Sequence, residues 1–379
     1  MSGISTAGGF PSDALTKHRR SLPALTGIRF FAAFYVVLFH GLPWALQRYD
    51  LPQPVQTFFS NGYLAVSLFF LLSGFILAYT YEGQIAGKVQ RLHFWQARFA
   101  RMYPVYFLSL LLAYCFERNL PLTTQAAVLA MVQAWNPWRP DMAGVWNYPA
   151  WSLSVEVFFY LVFPFALPWM ARRRSRELAI LLVVFLAACA LLRTPIQGFG
   201  DWARSSSSPA APLLLLRLPE FLVGMILGIR LLRQEQPSSH GNSKAIRVAL
   251  AVVAAVVLLS APIGSWVSLV ILPFALLVYE LAARRSWLAR VLSSKMMVLL
   301  GSASYCVYLL QYPVRSWVRM IFSVVPASYA ALGAPLTPLI LVAVSLLVYR
   351  FWEEPSRRAL RRWFSRTRVS APASKTAQL

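Results

Sequence analysis

Arg29 and His40 are the two basic side chains in the apolar run LTGIRFFAAFYVVLFH, residues 25–40. In a helix, eleven residues return to within about 20° of the same face, roughly 16 Å further along the axis. One stripe therefore carries both. A guanidinium in apolar surroundings can grip an anion, and an imidazole can take a proton from a hydroxyl, so the stripe can mark two ends of a path. The competing explanation is that Arg29 snorkels to a nearby interface and His40 caps a neighbouring carbonyl.

Three further clusters have the residue types for chemistry. NYPAWSLSVEVFFYLVFP places Glu156 about two turns into an apolar segment, at the depth expected of His40. A carboxylate there can orient the imidazole and raise its basicity, or simply tie two helices together. In FWQARFARMYPVYF, Arg98 and Arg101 lie three residues apart, ahead of Tyr103, Pro104 and Tyr106. They can clamp the phosphates of a nucleotide-like ligand or serve as ordinary basic anchors. In RLPEFLVG, Arg217 and Glu220 have the spacing of mutual neutralisation, and in RFWEEPSRR, Glu353 or Glu354 can pair with a nearby arginine.

Other signals point away from chemistry. Ser73-Gly74 in FFLLSGFILAY lacks the G-x-S-x-G elbow and suits close helix packing instead. His18, His93 and His240 fall in expected loops at no ligand-like spacing, so no metal site is expected. Cys115, Cys189 and Cys306 lie singly in apolar stretches and read as core filler. No phosphate-binding G-x-x-x-x-G-K-[ST] loop occurs, which argues against an ATP-driven pump.

The elements that position these groups are transmembrane helices. Of the 379 residues 58% are hydrophobic and only 13% charged, a balance of a polytopic membrane protein. Ten apolar segments approach the length of a span, centred on Tyr35, Phe70, Leu110, Phe159, Phe185, Phe221, Ala254, Pro273, Tyr308 and Val344. Lys and Arg gather before the first and after the second, fourth, sixth, eighth and tenth, which predicts that both termini are cytoplasmic. The net charge of +23 then reflects topology and attraction to anionic lipid, and no nucleic-acid role is expected. The expected fold is an all-α bundle of about ten transmembrane helices: an N-terminal tail over 1–20, a membrane domain over 21–355 and a basic C-terminal tail over 356–379. The N-terminus has no apolar core of a signal peptide ahead of its basic cluster, so the first segment is expected to stay. TTQAAVLAMVQAW is too short to cross and reads as an interfacial or re-entrant piece.

Taken in order, Arg29 and His40 in the first span, FFLLSGFIL, RFARMYPVY, WSLSVEVFFY, RLPEFLVG, SYCVYLLQYPV and EEP resemble the membrane acyltransferase family 3. That family includes O-acetyltransferases of bacterial exopolysaccharide, O-antigen and nodulation factors. The resemblance covers roughly residues 20–358. It implies a bacterial inner-membrane enzyme that takes an acyl group, acetyl above all, from cytoplasmic acyl-coenzyme A and needs no metal. The acceptor would be a hydroxyl of a carbohydrate, either a polysaccharide or a lipid-linked oligosaccharide. His40, Glu156 and Arg29 are then the expected catalytic residues, with Arg29, Arg98, Arg101 and Tyr103 holding the coenzyme. Trp151, Ser152, Tyr160 and Glu220 are the expected acceptor-binding residues. Transfer can be direct or through an acyl-histidine. The sequence departs from the family at Gln311, where members often have histidine, and it shows no appended hydrolase-like domain. Trp135, Trp138, Trp146 and Trp151 can stack on sugars or anchor at the interface. The rival function is a transporter or flippase of a lipid-linked sugar, which uses the same buried charges without chemistry.

Overall fold

The structure is a computed structural model that describes residues 19–46, 51–85, 87–117, 120–192, 212–234, 247–253, 270–283, 286–326 and 333–366. Its regular elements are helical throughout the described residues. In chain order the helices used below are α1 Pro23–Leu46, α2 Gln53–Ser60, α3 Ala65–Tyr81, α4 Lys88–Tyr114, α5 Leu122–Leu129, α6 Trp151–Ala171 and α7 Ser175–Leu192. There follow α8 Leu213–Leu232, α9 Ile271–Ala283, α10 Trp287–Leu292, α11 Lys295–Ser302, α12 Ser304–Ser323, α13 Gly333–Val348 and α14 Glu354–Arg366. A π-helical turn, Tyr349–Glu353, joins the last two. Such turns often sit where a helix must re-aim a side chain.

Nine of the ten expected span centres lie on these helices, and Ala254 lies outside the described residues. Length and composition single out fewer crossings. Among the described residues five stretches qualify: Pro23–Gly41, Gln53–Tyr81, Tyr148–Ala171, Ser175–Leu192 and Pro335–Arg366. The pair α11 and α12, bent by 52°, makes a sixth. The shortfall has a chemical reason, because α4 opens with a run of basic residues and α8 holds Arg217, Glu220 and Arg230. At 13 residues, α9 is too short to qualify alone.

Helix α1 is the hub, packed against α3, α9, α10, α11, α12 and α13. Small residues bring the backbones close. A Cβ on Gly27 would fall on the Leu292 carbonyl, and one on Gly74 would fall on that of Phe221. Gly74 thus seats α3 on α8, in keeping with the packing role expected for Ser73-Gly74. The short segment after α4 folds inward: α5 turns at Met131, a non-glycine residue with φ 60°, and returns to the bundle. Ala134 N donates to Ser154 Oγ at 3.1 Å and Trp135 Nε1 donates to Ser154 O at 2.9 Å, so this connection covers the start of α6.

The C-terminal boundary expected at 355 falls inside continuous helix. Residues 356–366 belong to α14, which packs on α4. At the other end Arg19 donates to the carbonyls of Tyr79 and Glu82. His93 departs from its expected loop position, since it lies buried within α4. Its neighbours Phe94 and Ala97 are core residues, which explains the burial. His18 and His240 lie outside the described residues. Cys115 is exposed, contrary to the core role expected for it, because α4 ends there and its last turn faces outward.

Candidate functional site: two stations on one helix

Near the start of α1, arginines from separate helices come together. Arg29 feels the charges of Arg101, Glu156 and Glu353, which places α1, α4, α6 and the π turn around one space. Arg29 and Arg98 are half-buried in the bundle, and both keep surface that water can reach. Their Nε atoms have no hydrogen-bond partner. Arg98 donates to the Tyr81 hydroxyl at 3.4 Å, with its guanidinium 5.7 Å from the Tyr81 ring and 5.8 Å from that of Phe94. Buried N–H groups are almost always paired, so the unpartnered guanidinium nitrogens of two neighbouring arginines can serve an acceptor from outside the chain.

The sequence reading missed the next member. Arg361 from α14 lies within electrostatic reach of Arg98 and Arg101. Its neighbours Arg357 and Arg358 are neutralised by Glu354 at 2.8 and 2.6 Å, but Arg361 has no ion-pair partner among the described residues. Glu353 is 1% exposed, accepts from Cys306 Sγ at 3.2 Å and leaves Oε1 unpartnered. Arg29, Arg98 and Arg101 thus face two carboxylates, those of Glu156 and Glu353, and Arg361 adds a further cation beside them. The helical i, i+4 pattern of Arg357 and Arg361 is visible in the sequence, but only the fold shows that α14 returns to α4.

At the other end of α1 stands His40, bordering a cavity of about 640 Å³. Its Nδ1 lies 2.9 Å from Gln311 Oε1. The Gln311 amide has only one consistent orientation, because its Nε2 donates to the Tyr308 carbonyl at 2.7 Å and a carbonyl only accepts. Oε1 must therefore face the ring, and Nδ1 must carry the proton. That leaves Nε2 with its lone pair, and His40 has no other hydrogen-bond partner for the ring among the described residues. Tyr148 stands edge-on to the imidazole at 5.7 Å, and Phe39 packs beside it at 4.8 Å. Arg315, one turn after Gln311, donates to the His40 carbonyl.

The expected pairing of His40 with Glu156 does not form. Glu156 Oε1 accepts from Ser73 Oγ at 2.7 Å and from the Tyr160 hydroxyl, and it interacts with Arg29 and Arg98. The reason is the inward-folded connection before α6, which covers Trp151, Ser152 and Ser154 and sets Glu156 deeper than a helix starting at the surface would. Glu156 therefore belongs to the arginine station, and the partner of His40 is Gln311.

The remaining expected residues divide in the same way. Tyr160 joins Glu156 beside the arginines. Tyr103 is not brought to them: it stacks on Phe99 and Phe107 along an outward stripe, with its hydroxyl 3.3 Å from Leu129 O. Ser152 bonds to the Tyr308 hydroxyl at 2.8 Å, behind Gln311. Trp151 is buried under the Arg217 guanidinium, 5.6 Å from its ring, and Arg217 pairs with Glu220 at 3.1 Å. Ser67 also donates to Glu220, so this group ties α3 to α8. Of the four tryptophans, Trp146 and Trp151 are wall residues at 5% exposure, Trp135 donates to Ser154 O, and Trp138 is 75% exposed. In the same connection Arg139 holds the Asp141 carboxyl below the usual range by direct hydrogen bonds. No group of His, Cys, Asp and Glu fit for a metal occurs among the described residues.

Residues 22–349 match the family described as an acyltransferase domain. An acyltransferase named MdmB from Streptomyces mycarofaciens is 31% identical over 319 residues, covering 77% of this chain and 79% of that one. The O-acetyltransferase OatA of Staphylococcus aureus is 26% identical across 89% of this chain, and the putative peptidoglycan O-acetyltransferase YrhL of Bacillus subtilis is 24% identical across 93%. The chain spans 58% and 57% of these two relatives. No solved structure matches.

Proposed function

The chain belongs to the membrane acyltransferase family 3, and from that premise we propose that it moves an acyl group, acetyl above all, from cytoplasmic acyl-coenzyme A to a carbohydrate hydroxyl. The observation that carries this reading is the pair of stations on α1. One end has guanidinium donors awaiting an anion, and the other has an imidazole with a free lone pair, roughly 16 Å along the same helix. A coenzyme A thioester is a molecule of that form, with phosphates at one end and the reactive carbonyl at the end of an extended arm.

In this reading Arg29, Arg98 and Arg101 hold the phosphates. Glu156, anchored by Ser73 and Tyr160, spaces the arginines and limits their mutual repulsion. His40 Nε2 takes the proton of the acceptor hydroxyl as its oxygen attacks the thioester carbonyl. The C–O bond forms and the C–S bond breaks. The leaving thiolate then receives the proton from Nε2, so the ring returns to its starting state. Gln311 keeps the proton on Nδ1 throughout. The names of OatA and YrhL, as O-acetyltransferases, support acetyl as the group and a cell-wall carbohydrate as the acceptor class. Ten crossings with both termini cytoplasmic would put the arginine station on the donor side and His40 towards the outside.

The test is transfer of labelled acetyl from acetyl-coenzyme A into glycan by membranes containing wild-type protein or equally abundant His40→Ala. Label in the wild type and its loss in the variant support the reading. Equal labelling removes His40 from the chemistry. Absence of label in both, with glycan export still dependent on the protein, favours the transporter.

A further inference from the structure

The connection before α6 is fastened to the bundle at a point beside the base. Asn147 is fully buried there, and both hydrogens of its amide are used: Nδ2 donates to Ser109 Oγ on α4 and to Leu309 O on α12, each at 3.0 Å. Leu309 O is not an ordinary helical carbonyl. Its partner four residues on would be the N–H of position 313, which is Pro313 and has none. Asn147 therefore supplies the donor that proline withholds, two residues before Gln311. A carbonyl only accepts, so the amide has one orientation, and that orientation leaves its Oδ1 buried without a partner. The preceding residue is strained as well. Trp146 has φ 60° and is fixed there by Glu117, with Trp146 Nε1 donating to Glu117 O at 2.8 Å and Trp146 N to Glu117 Oε2 at 3.3 Å. Both features are unfavourable by themselves, and both follow from aiming Asn147 inward.

We propose that Asn147 is a positioning residue for the transfer: it fixes Tyr148 against the His40 ring and so sets the direction in which Nε2 meets the acceptor. Tyr148 stands edge-on to the imidazole at 5.7 Å and lines the same cavity, together with Gly144 and Pro149. Gln311 decides which nitrogen carries the proton, but one bond to Nδ1 does not fix the plane of the ring. Tyr148 restrains that plane from the side. Because Asn147 ties the connection to α12, the helix that carries Gln311, the two restraints on His40 move as one body. A base held in this way keeps its lone pair on the line of attack, which is where orientation contributes to rate. The part Asn147 plays in the reaction rests on the acyltransferase reading; its hold on the ring does not.

The experiment combines kinetics in membranes with NMR of the His40 ring in the full-length protein in detergent, the His40 signal being identified by its loss in His40→Ala. Asn147→Leu keeps the volume and removes the donors. It should lower kcat about tenfold to a hundredfold and leave the KM for acetyl-coenzyme A within a few fold. The His40 ring protons should shift and broaden while Nδ1 stays protonated, unlike the response to loss of Gln311. Tyr148→Ala, with Asn147 intact, should have the same two signatures, and adding Asn147→Leu to it should lower kcat no further. The decisive comparison is made in a Pro313→Ala background, which returns an N–H to Leu309 O. There the proposal expects Asn147→Leu to cost little in Tm but still to lower kcat and shift the ring signal. If Asn147 serves only to satisfy the carbonyl, Asn147→Leu changes neither rate nor signal in that background, and the proposal is overturned. Unchanged kinetics and ring signal in Tyr148→Ala overturn it too, as do losses that simply add. If the ring signal responds as described but wild-type membranes transfer no acetyl, the acyltransferase reading fails and the hold on His40 stands.

Discussion

The two ends of α1 solve opposite problems with similar residues. Around Arg29 the fold gathers cations from three separate helices, α1, α4 and α14, and leaves the Nε groups of Arg29 and Arg98 unmatched, so the region has donors to spare for an anion. Around His40 it does the reverse: one ring is held by one amide, which is itself held by one carbonyl, and the single unmatched atom is a lone pair. The first arrangement is suited to binding a charged molecule in any of several poses. The second is suited to moving one proton at one place. Helix α12 repeats the division, with Cys306 at the arginine station and Gln311 and Arg315 at the other.

The contrast is sharpest in kinetics. His40→Ala should lower kcat by about a hundredfold to ten-thousandfold, the range for loss of a general base, while the KM for acetyl-coenzyme A stays within a few fold. Arg98→Ala and Arg101→Ala should each do the converse, raising that KM about tenfold because each removes charged hydrogen bonds to the donor, with a smaller change in kcat. A variant at one end with the signature of the other would break the division into binding and reacting stations.

Gln311 tests the ordered end in a subtler way. Gln311→Leu leaves the Nδ1 proton without an acceptor, so the ring is free to take the other tautomer. We expect kcat to fall about tenfold to a hundredfold with both KM values little changed. Nitrogen NMR of the His40 ring should show the Nδ1-protonated form in the wild type and a mixture in the variant. Gln311→His can restore an acceptor at the same place and should recover most of the rate. A merely structural role for Gln311 would change neither the tautomer nor its rescue.

How much of this was legible in the sequence depends on the distance over which each fact is decided. The helices were readable from hydropathy, since nine of ten expected centres lie on them, and the shared stripe of Arg29 and His40 follows from helical periodicity alone. The pairing of Arg217 with Glu220 is likewise local. The partner of His40 was not readable, because depth in a bundle depends on where each helix begins relative to its neighbours. The connection over 130–150 lowers Glu156 away from the ring by covering the start of α6, and nothing in the residues of α6 records that. Gln311 was visible only as a missing histidine, although a glutamine can accept from Nδ1 as well. Arg315 and Arg319 follow it on α12 at helical spacing, but the cavity they help to line is closed by α1 and α13, which the residues of α12 do not record.

The smallest expected effect concerns the edge of the arginine station. Arg361 lies beyond the residues that match the family, which end at 349, and it is contributed by a helix whose Arg357 and Arg358 are spent on Glu354. If α14 merely lies at the membrane surface, Arg361→Gln should change no kinetic constant for the donor, because one surface charge among many contributes little. Its reach to Arg98 and Arg101 argues otherwise: even an exposed charge adds some attraction when it stands beside an anion site, though solvent screens most of it. We therefore expect about a threefold rise in the KM for acetyl-coenzyme A, an unchanged kcat, and a steeper loss of affinity with added salt in the wild type than in the variant. Arg358→Gln provides the comparison, since it has the same charge change and the same helix but a side chain turned to solvent and paired with Glu354. An equal effect of the two variants would show that α14 acts through its overall charge, and would confine the donor station to α1, α4, α6 and the π turn.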